Sequence, residues 1–247
     1  MLLRCRRILG LGLPFALLAA APSHAAPLDL ISDSRRVYAA TEAANIDGDV
    51  AIDWPQSSAP TPFVEWIETV GTSYSVATQT SVATPLLVTG SGSASTGRTT
   101  FPYDPPGYFS PEDAWSASTF SLTFGVSEPT AIDLSGVFFA EHSREIYARS
   151  SYSLRDLGSM LDVSSYGIRG HDGLQEFHFQ TVLEPGEYQL YVATLVDDFI
   201  FSPGDSSFSF ALVVPEPGTG PLLGCAIAGL LAARRRTPRR APGPASA

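Results

Sequence analysis

The chain has 247 residues, 44% hydrophobic and 11% aromatic, which is too apolar for a disordered chain and long enough for one sizeable core. Only 16% of its residues are charged, and 21 Gly and 20 Pro favour turns, which argues against long charged surface helices. All 15 basic residues are Arg, and residues 26–213 hold seven of them against 24 acids, a net charge of about −17 that argues against nucleic acid as a partner.

Residues 1–25 carry Arg4, Arg6 and Arg7, then an apolar run over 8–21, then Ser23-His24-Ala25. This order predicts a secretory signal peptide cut after Ala25, with the Sec machinery and signal peptidase as partners. A 14-residue run holding Pro14 is short for a retained bilayer anchor. Cys5 falls in the removed part and Cys225 is the other cysteine, so the domain over 26–213 is expected to stand on its core without a disulfide.

Asn45, Asp47, Asp49 and Asp53 put oxygen ligands at alternating positions, as a calcium loop would, which makes Ca²⁺ the one candidate cofactor. Gly48 and Gln56 stand at the fourth and twelfth positions, where an EF-hand does not want them, and Asp-Gly-Asp is also a plain turn signal. Phe63, Trp66, Ile67 and Val70 fall at i, i+3, i+4 and i+7, which suits two helical turns after Pro62 or, equally, a bulged strand. Tyr74, Val76, Thr78 and Thr80 alternate with small residues, and residues 86–89 make a short apolar run. Residues 90–111, Gly/Ser-rich and then Pro-rich, read as one long surface loop. That loop and its exit hold Tyr103, Tyr108, Phe109 and Trp115 beside Asp104, Glu112 and Asp113. Aromatic rings bracketed by carboxylates can stack on sugars and accept their hydroxyl hydrogen bonds, so Tyr103, Tyr108 and Trp115 are the candidate glycan-binding residues; large aromatics folded inward over the core are the plainer alternative.

Further on, the period is two. Phe120, Leu122, Phe124 and Val126 alternate with small polar residues, and the pattern recurs at Ile132, Leu134 and Phe138, at Phe177 and Phe179, at Tyr188, Leu190 and Val192, and at Phe208, Phe210 and Leu212. Turn signals separate these runs, and residues 183–190 read as strand, tight turn and strand, a hairpin. The expected fold is all-β, an antiparallel two-sheet β-sandwich of jelly-roll-like type, preceded by a signal peptide and followed by one short transmembrane helix. Asp197, Asp198 and Asp205 form a second acidic group. His142, His171 and His178 lack zinc spacing, and no Gly-x-Ser-x-Gly occurs, so no catalytic residue is assigned and no enzyme is expected.

After residue 213 come Pro215-Glu216-Pro217, an uncharged apolar run over 221–233, and Arg234-Arg235-Arg236. Thirteen residues reach roughly 20 Å as a helix, and the Arg cluster can snorkel on the cytoplasmic side. In this order of parts, residues 214–236 resemble the PEP-CTERM sorting tails of Gram-negative bacteria. The resemblance implies an exosortase that processes the tail near Pro215-Glu216-Pro217, an inner-membrane intermediate stopped by Arg234, Arg235 and Arg236, and delivery to the cell surface or an extracellular matrix. Residues 237–247 form a basic tail expected to be disordered. The middle is similar to the exported sandwich domains often placed before such tails, which supports the fold and carries no site residues. The expected role is structural or adhesive, linked to extracellular polysaccharide. The alternatives are a carbohydrate-binding module, calcium-dependent or not, and less favourably a matrix hydrolase. On net charge alone, an acidic polysaccharide is a poor partner unless a divalent cation bridges it.

Overall fold

A computed structural model of the chain describes residues 26–45, 50–72, 74–97, 108–142, 147–198 and 203–215, with the side chains at 43–45, 108–112, 142, 171 and 198 outside the description. The expected signal peptide and transmembrane helix, and the Arg cluster, lie outside it too. Among the described residues no helix is long and apolar enough to cross a membrane.

The described residues form thirteen strands: β1 (Asp29–Asn45), β2 (Val50–Asp53), β3 (Gln56–Ser58), β4 (Trp66–Gly71), β5 (Ser75–Ala83), β6 (Leu87–Thr96), β7 (Tyr108–Val126), β8 (Thr130–His142), β9 (Tyr147–Asp156), β10 (Asp162–Arg169), β11 (Gly173–Leu183), β12 (Gly186–Asp198) and β13 (Gly204–Val213). A single 3-10 turn, Gly170–Asp172, stands between β10 and β11. The strands make two antiparallel sheets. The first runs β10-β9-β12-β7-β1-β2, with β3 also on β1, and the second runs β11-β8-β13-β6-β5-β4. They face each other as a β-sandwich, each inner face donating the apolar phase of its strands.

Every large residue of the main alternating runs except Phe179 is buried. Phe120, Leu122 and Phe124 of β7 meet Phe138, Phe210 and Leu212 of the opposite sheet, with Phe120 and Phe210 centroids 5.1 Å apart. Toward the other end of the sandwich the interior changes character, because hydroxyls replace rings. Ser150 bonds Thr194, Thr194 bonds Ser206, and Ser116 donates to the Ser95 carbonyl. The hydroxyls of Ser116, Ser150, Thr194 and Ser206 each have a partner, which is the condition for burying them without a large penalty, while the buried Thr96 Oγ1 has none among the described residues.

Two expectations are corrected, and one left open is decided. Residues 183–190 are not a hairpin: β11 pairs with β8 in the second sheet, while β12 pairs with β7 and β9 in the first. Pro185 cannot donate to a ladder, and the tight turn carries the chain across the sandwich instead of back along one sheet. Residues 90–96 are not loop. They form most of β6, a strand flanked by β13 and β5. The glycines are needed for packing: a Cβ at Gly90 would stand 2.6 Å from the Phe210 ring, and one at Gly92 would stand 2.7 Å from the Phe208 ring. The serines take the outer phase, so a composition that reads as linker is the mould for two aromatic rings. Residues 108–111 likewise belong to β7, while 101–107 lie outside the description. Finally, the segment after Pro62 takes the strand alternative: Trp66 is buried and Ile67, its neighbour in β4, is exposed.

The turn into β4 is held by one buried cation. Arg35, on the inner phase of β1, is fully buried and donates to the carbonyls of Val64 at 2.6 Å, Thr61 at 2.8 Å and Ser81 at 3.3 Å. Its Nε lies 3.0 Å from Asp33 Oδ2 as an ion pair, and that carboxylate also accepts the Phe63 N–H at 2.9 Å. Phe63 has φ of 63°, a strained value for a bulky residue, and the Asp33–Arg35 pair pins it there. Burial weakens the hold of Arg35 on its proton, and Asp33 offsets part of that effect.

Candidate functional site

The outer face of the first sheet carries large aromatics where a solvated face needs none. Along β1 the outward phase holds Arg36 and Tyr38, because Arg35 and Val37 point inward. Cross-strand register places Arg36 opposite Thr119 and Tyr38 opposite Ala117 on β7. On β12, Ala193 lies opposite Thr119, Leu195 opposite Ala117 and Tyr191 opposite Ser121. The middle of the face is therefore low, floored by Ala117, Thr119 and Ala193, and taller side chains stand at both sides. Trp54, between β2 and β3, packs its ring against Tyr38 at 6.5 Å and edge-on against Trp115 at 5.8 Å. It remains 55% exposed, and Tyr191 remains 40% exposed.

The result is a groove of about 850 Å³ lined by Arg36, Tyr38, Trp54, Gln56, Ser58, Thr119 and Tyr191, among others. That size suits a few sugar residues. Partial burial pushes the phenols of Tyr38 and Tyr191 above the ordinary tyrosine value, and the two rings and the Arg149 guanidinium are close enough to act on one another. Both phenols therefore stay protonated at neutral pH and can donate as well as accept. Beneath the floor, Gln79 of β5 crosses the interior. Oriented so that its amide nitrogen meets acceptors, it donates to the Thr119 carbonyl at 3.0 Å and the Arg36 carbonyl at 3.2 Å, tying the groove to the opposite sheet.

Of the candidate glycan residues, Trp115 belongs to this groove cluster. Tyr108 lies on β7 with its side chain outside the description, and Tyr103 is outside it altogether. Of the candidate calcium ligands, Asp47 and Asp49 lie outside the description, Asn45 is the last residue of β1, and Asp53 pairs with Thr41 at the end of β2. No group of three or more His, Cys, Asp or Glu able to hold a metal occurs among the described residues. Pro215 follows β13, while Glu216, Pro217 and Arg234, Arg235 and Arg236 are outside the description. His178 is on the outer face of the second sheet, its Nε2 3.0 Å from Asp133 Oδ1.

Tyr38, Trp54 and Tyr191 escape the sequence reading. Two of them leave a signal: Tyr38 and Tyr191 occupy the polar phase of strands whose apolar phase is already filled by Val37, or by Leu190 and Val192. An aromatic out of phase with its strand faces solvent, and solvent-facing aromatics need a reason. Trp54 leaves no such signal, since it stands between two short strands.

No protein-family model matches the chain, and no curated protein matches it. Solved structures similar to it include the carbohydrate-binding module TmCBM61 in complex with β-1,4-galactotriose, 14% identical over 44% of this chain and 72% of that chain, with a TM-score of 0.27. The enzymatically active domain of tailspike protein 4 of bacteriophage CBA120 is 15% identical over 55% of this chain and 19% of its own, at a TM-score of 0.24. A structure of the infectious bursal disease virus Gx strain is 8% identical over 78% and 58%, at 0.24.

Proposed function

We propose that this chain is an exported, non-catalytic, glycan-binding sandwich of the cell surface or extracellular matrix, adhesive in role, that holds polysaccharide on the outer face of its first sheet. The observation that carries the reading is the cluster of Tyr38, Trp54, Trp115 and Tyr191 around a floor of small residues. Flat rings stack on the apolar faces of pyranoses, while Gln56, Ser58 and Thr119 offer hydrogen bonds to hydroxyls. The threading of β6, β7, β8 and β9, and again of β11, β12 and β13, alternately through the two sheets supports the jelly-roll-like description of the sandwich.

Delivery, in this proposal, follows the two ends: Sec export and signal peptidase at the start, then a membrane-held intermediate in a Gram-negative inner membrane and exosortase processing at Pro215-Glu216-Pro217. The domain geometry suits such a tether. The Leu28 N–H bonds the Pro85 carbonyl and the Val214 N–H bonds the Leu86 carbonyl, each at 2.9 Å, so chain entry and exit leave from one turn at one end. The groove then lies along the flank, open to polymer.

The test is retention of the purified full-length protein in gels containing soluble β-galactan, β-glucan or mannan. Retention by at least one polymer is expected, with loss in Trp54→Ala and Trp115→Ala. Failure of every polymer to retain the protein, or retention that both variants keep, overturns the glycan reading. For sorting, Ala at residues 215–217 is expected to leave the protein in the inner membrane; unchanged surface delivery overturns that part.

A further inference from the structure

The arginines divide unevenly. Among those whose side chains are described, Arg35 is buried against Asp33, and Arg155 bonds Asp162. Arg36 and Arg149 are different. Both stand on the outer face of the first sheet, and among the described residues neither guanidinium has a hydrogen-bonding or ion-pair partner. Arg36 lines the wall of the groove on the β1 side. Arg149 shares a rung with Leu195, Ala117 and Tyr38 on one side and with the exposed Arg169 of β10 on the other, and its charge acts on the phenols of Tyr38 and Tyr191, which places it beside the groove. β9 and β1 are three strand spacings apart, roughly 14 Å, so a polymer lying across the groove would meet one guanidinium at each side.

Resting on the glycan-binding reading above, we infer that the groove selects a carboxylate-bearing polysaccharide, a uronic acid polymer, with Arg36 and Arg149 receiving its carboxylates while Trp54 and Tyr191 stack on its rings. The planar guanidinium matches a carboxylate with two parallel hydrogen bonds, which a hydroxyl does not need. The domain's net negative charge does not forbid this. Charges farther apart than a Debye length, about 8 Å in physiological salt, are largely screened, so the local pair outweighs a distant excess. The acids that do face the site lie toward one end. Asp197 is one rung beyond the Tyr38 rung, opposite Trp115 and Tyr147 and with an interaction of its own, and Glu42 pairs with Asp113 beyond it. Tyr38 responds to Asp197 as well as to Arg149, so the groove has an acidic end and a basic middle.

The experiment compares polygalacturonate with the same polymer after carboxyl reduction, using full-length protein in EDTA. The acidic form is expected to bind about tenfold more tightly, the size of one charge-assisted hydrogen bond at 1.4 kcal/mol per decade. Arg36→Gln and Arg149→Gln should each shrink that ratio toward one by weakening the acidic polymer more than the reduced one, and 0.5 M salt should do the same. Both side chains are exposed, and unchanged thermal melting verifies the fold. Equal affinity for the two polymers, with both lost in Trp54→Ala, overturns the carboxylate inference and spares the groove. Equally tight binding of dextran sulfate, or binding that needs calcium, overturns it as well. Affinities untouched by Trp54→Ala and Tyr191→Ala overturn the groove reading itself.

Discussion

The two outer faces of the sandwich share one core and differ in what they do with the freedom that leaves them. The second sheet shows solvent mostly short polar groups with scattered aliphatics: Thr78 and Ser93 bond each other at 2.7 Å, Thr80 and Ser91 are exposed on neighbouring strands, Asp133 is engaged by His178 and Gln180, and Ile67, Leu174 and Val182 are exposed on the edge strands β4 and β11. The first sheet shows aromatic walls, a low floor and several guanidiniums, those of Arg36 and Arg149 beside the groove. Inner aromatics such as Phe120, Phe124 and Phe210 are consumed by packing, so their presence says nothing about function. Outer aromatics are not required for folding. Their clustering on one face and their scarcity on the other is why the proposed binding site is assigned to the first sheet.

If that division holds, inward changes cost stability and outward changes on the first sheet cost binding alone. The largest expected effect is inward. Arg35→Met strips a donor from three carbonyls and leaves Asp33 buried without its cation, a loss of about 3–5 kcal/mol in a denaturant titration. It should also loosen the 59–65 turn behind the groove wall, so binding falls together with stability; a drop below about 1 kcal/mol would contradict the assigned role. Next is Gly92→Val, which drives a side chain into the Phe208 ring and is expected to cost about 1–3 kcal/mol, against less than about 0.5 kcal/mol for Ser91→Val one residue away on the exposed phase. Similar losses for the two would mean that β6 tolerates either face inward.

The Gly92 case also shows where sequence reasoning stops. Period-two alternation located the inner faces of β7, β8, β12 and β13, because burial on one side forces that pattern on each strand locally. Residues 90–96 hid in plain composition: the rings that demand glycine there, Phe208 and Phe210, come from β13, more than a hundred residues later. The hairpin expectation at 183–190 failed for a related reason. A tight turn specifies a reversal of direction and not which sheet receives the second strand, and only the partners β7 and β9 decide that. The groove was half legible. Trp115 was named, and Tyr38 and Tyr191 carried an out-of-phase signal. Their convergence depends on β1, β7 and β12 being neighbours, a fact no local window contains.

A middle-sized effect tests the division directly. Trp54→Ala should weaken polymer binding about tenfold or more, near 1.4 kcal/mol, while the melting temperature moves little because the ring is half exposed. Thr80→Ala on the second sheet should change neither. Parallel loss of binding in Thr80→Ala would show that the second face, with its shallow groove beside Ser91 and Ser209, also takes the ligand.

The smallest effect is electrostatic and belongs to the second sheet, where two carboxylates are predicted to respond to pH with opposite sign. Asp205 sits opposite Glu141 in register, and burial followed by that neighbouring charge raises its pKa. The folded protein therefore holds the Asp205 proton more tightly than the unfolded chain does. Its favourable contribution is complete below the ordinary aspartate value and is lost as pH rises through the raised one. Asp133 goes the other way: the Gln180 amide at 2.6 Å and then His178 favour its charged form and lower its pKa. Its contribution is complete above the ordinary aspartate value and is lost as pH falls through the lowered one. Relative to the parent, Asp205→Asn should thus gain stability as pH is raised from acid to neutral, and Asp133→Asn should lose it over a lower window. Polymer binding should be unchanged in both, because neither carboxylate faces the groove. Melting curves for the two variants that shift in the same direction with pH would refute this pairing, and a change in polymer binding would connect the two faces that the rest of the molecule keeps apart.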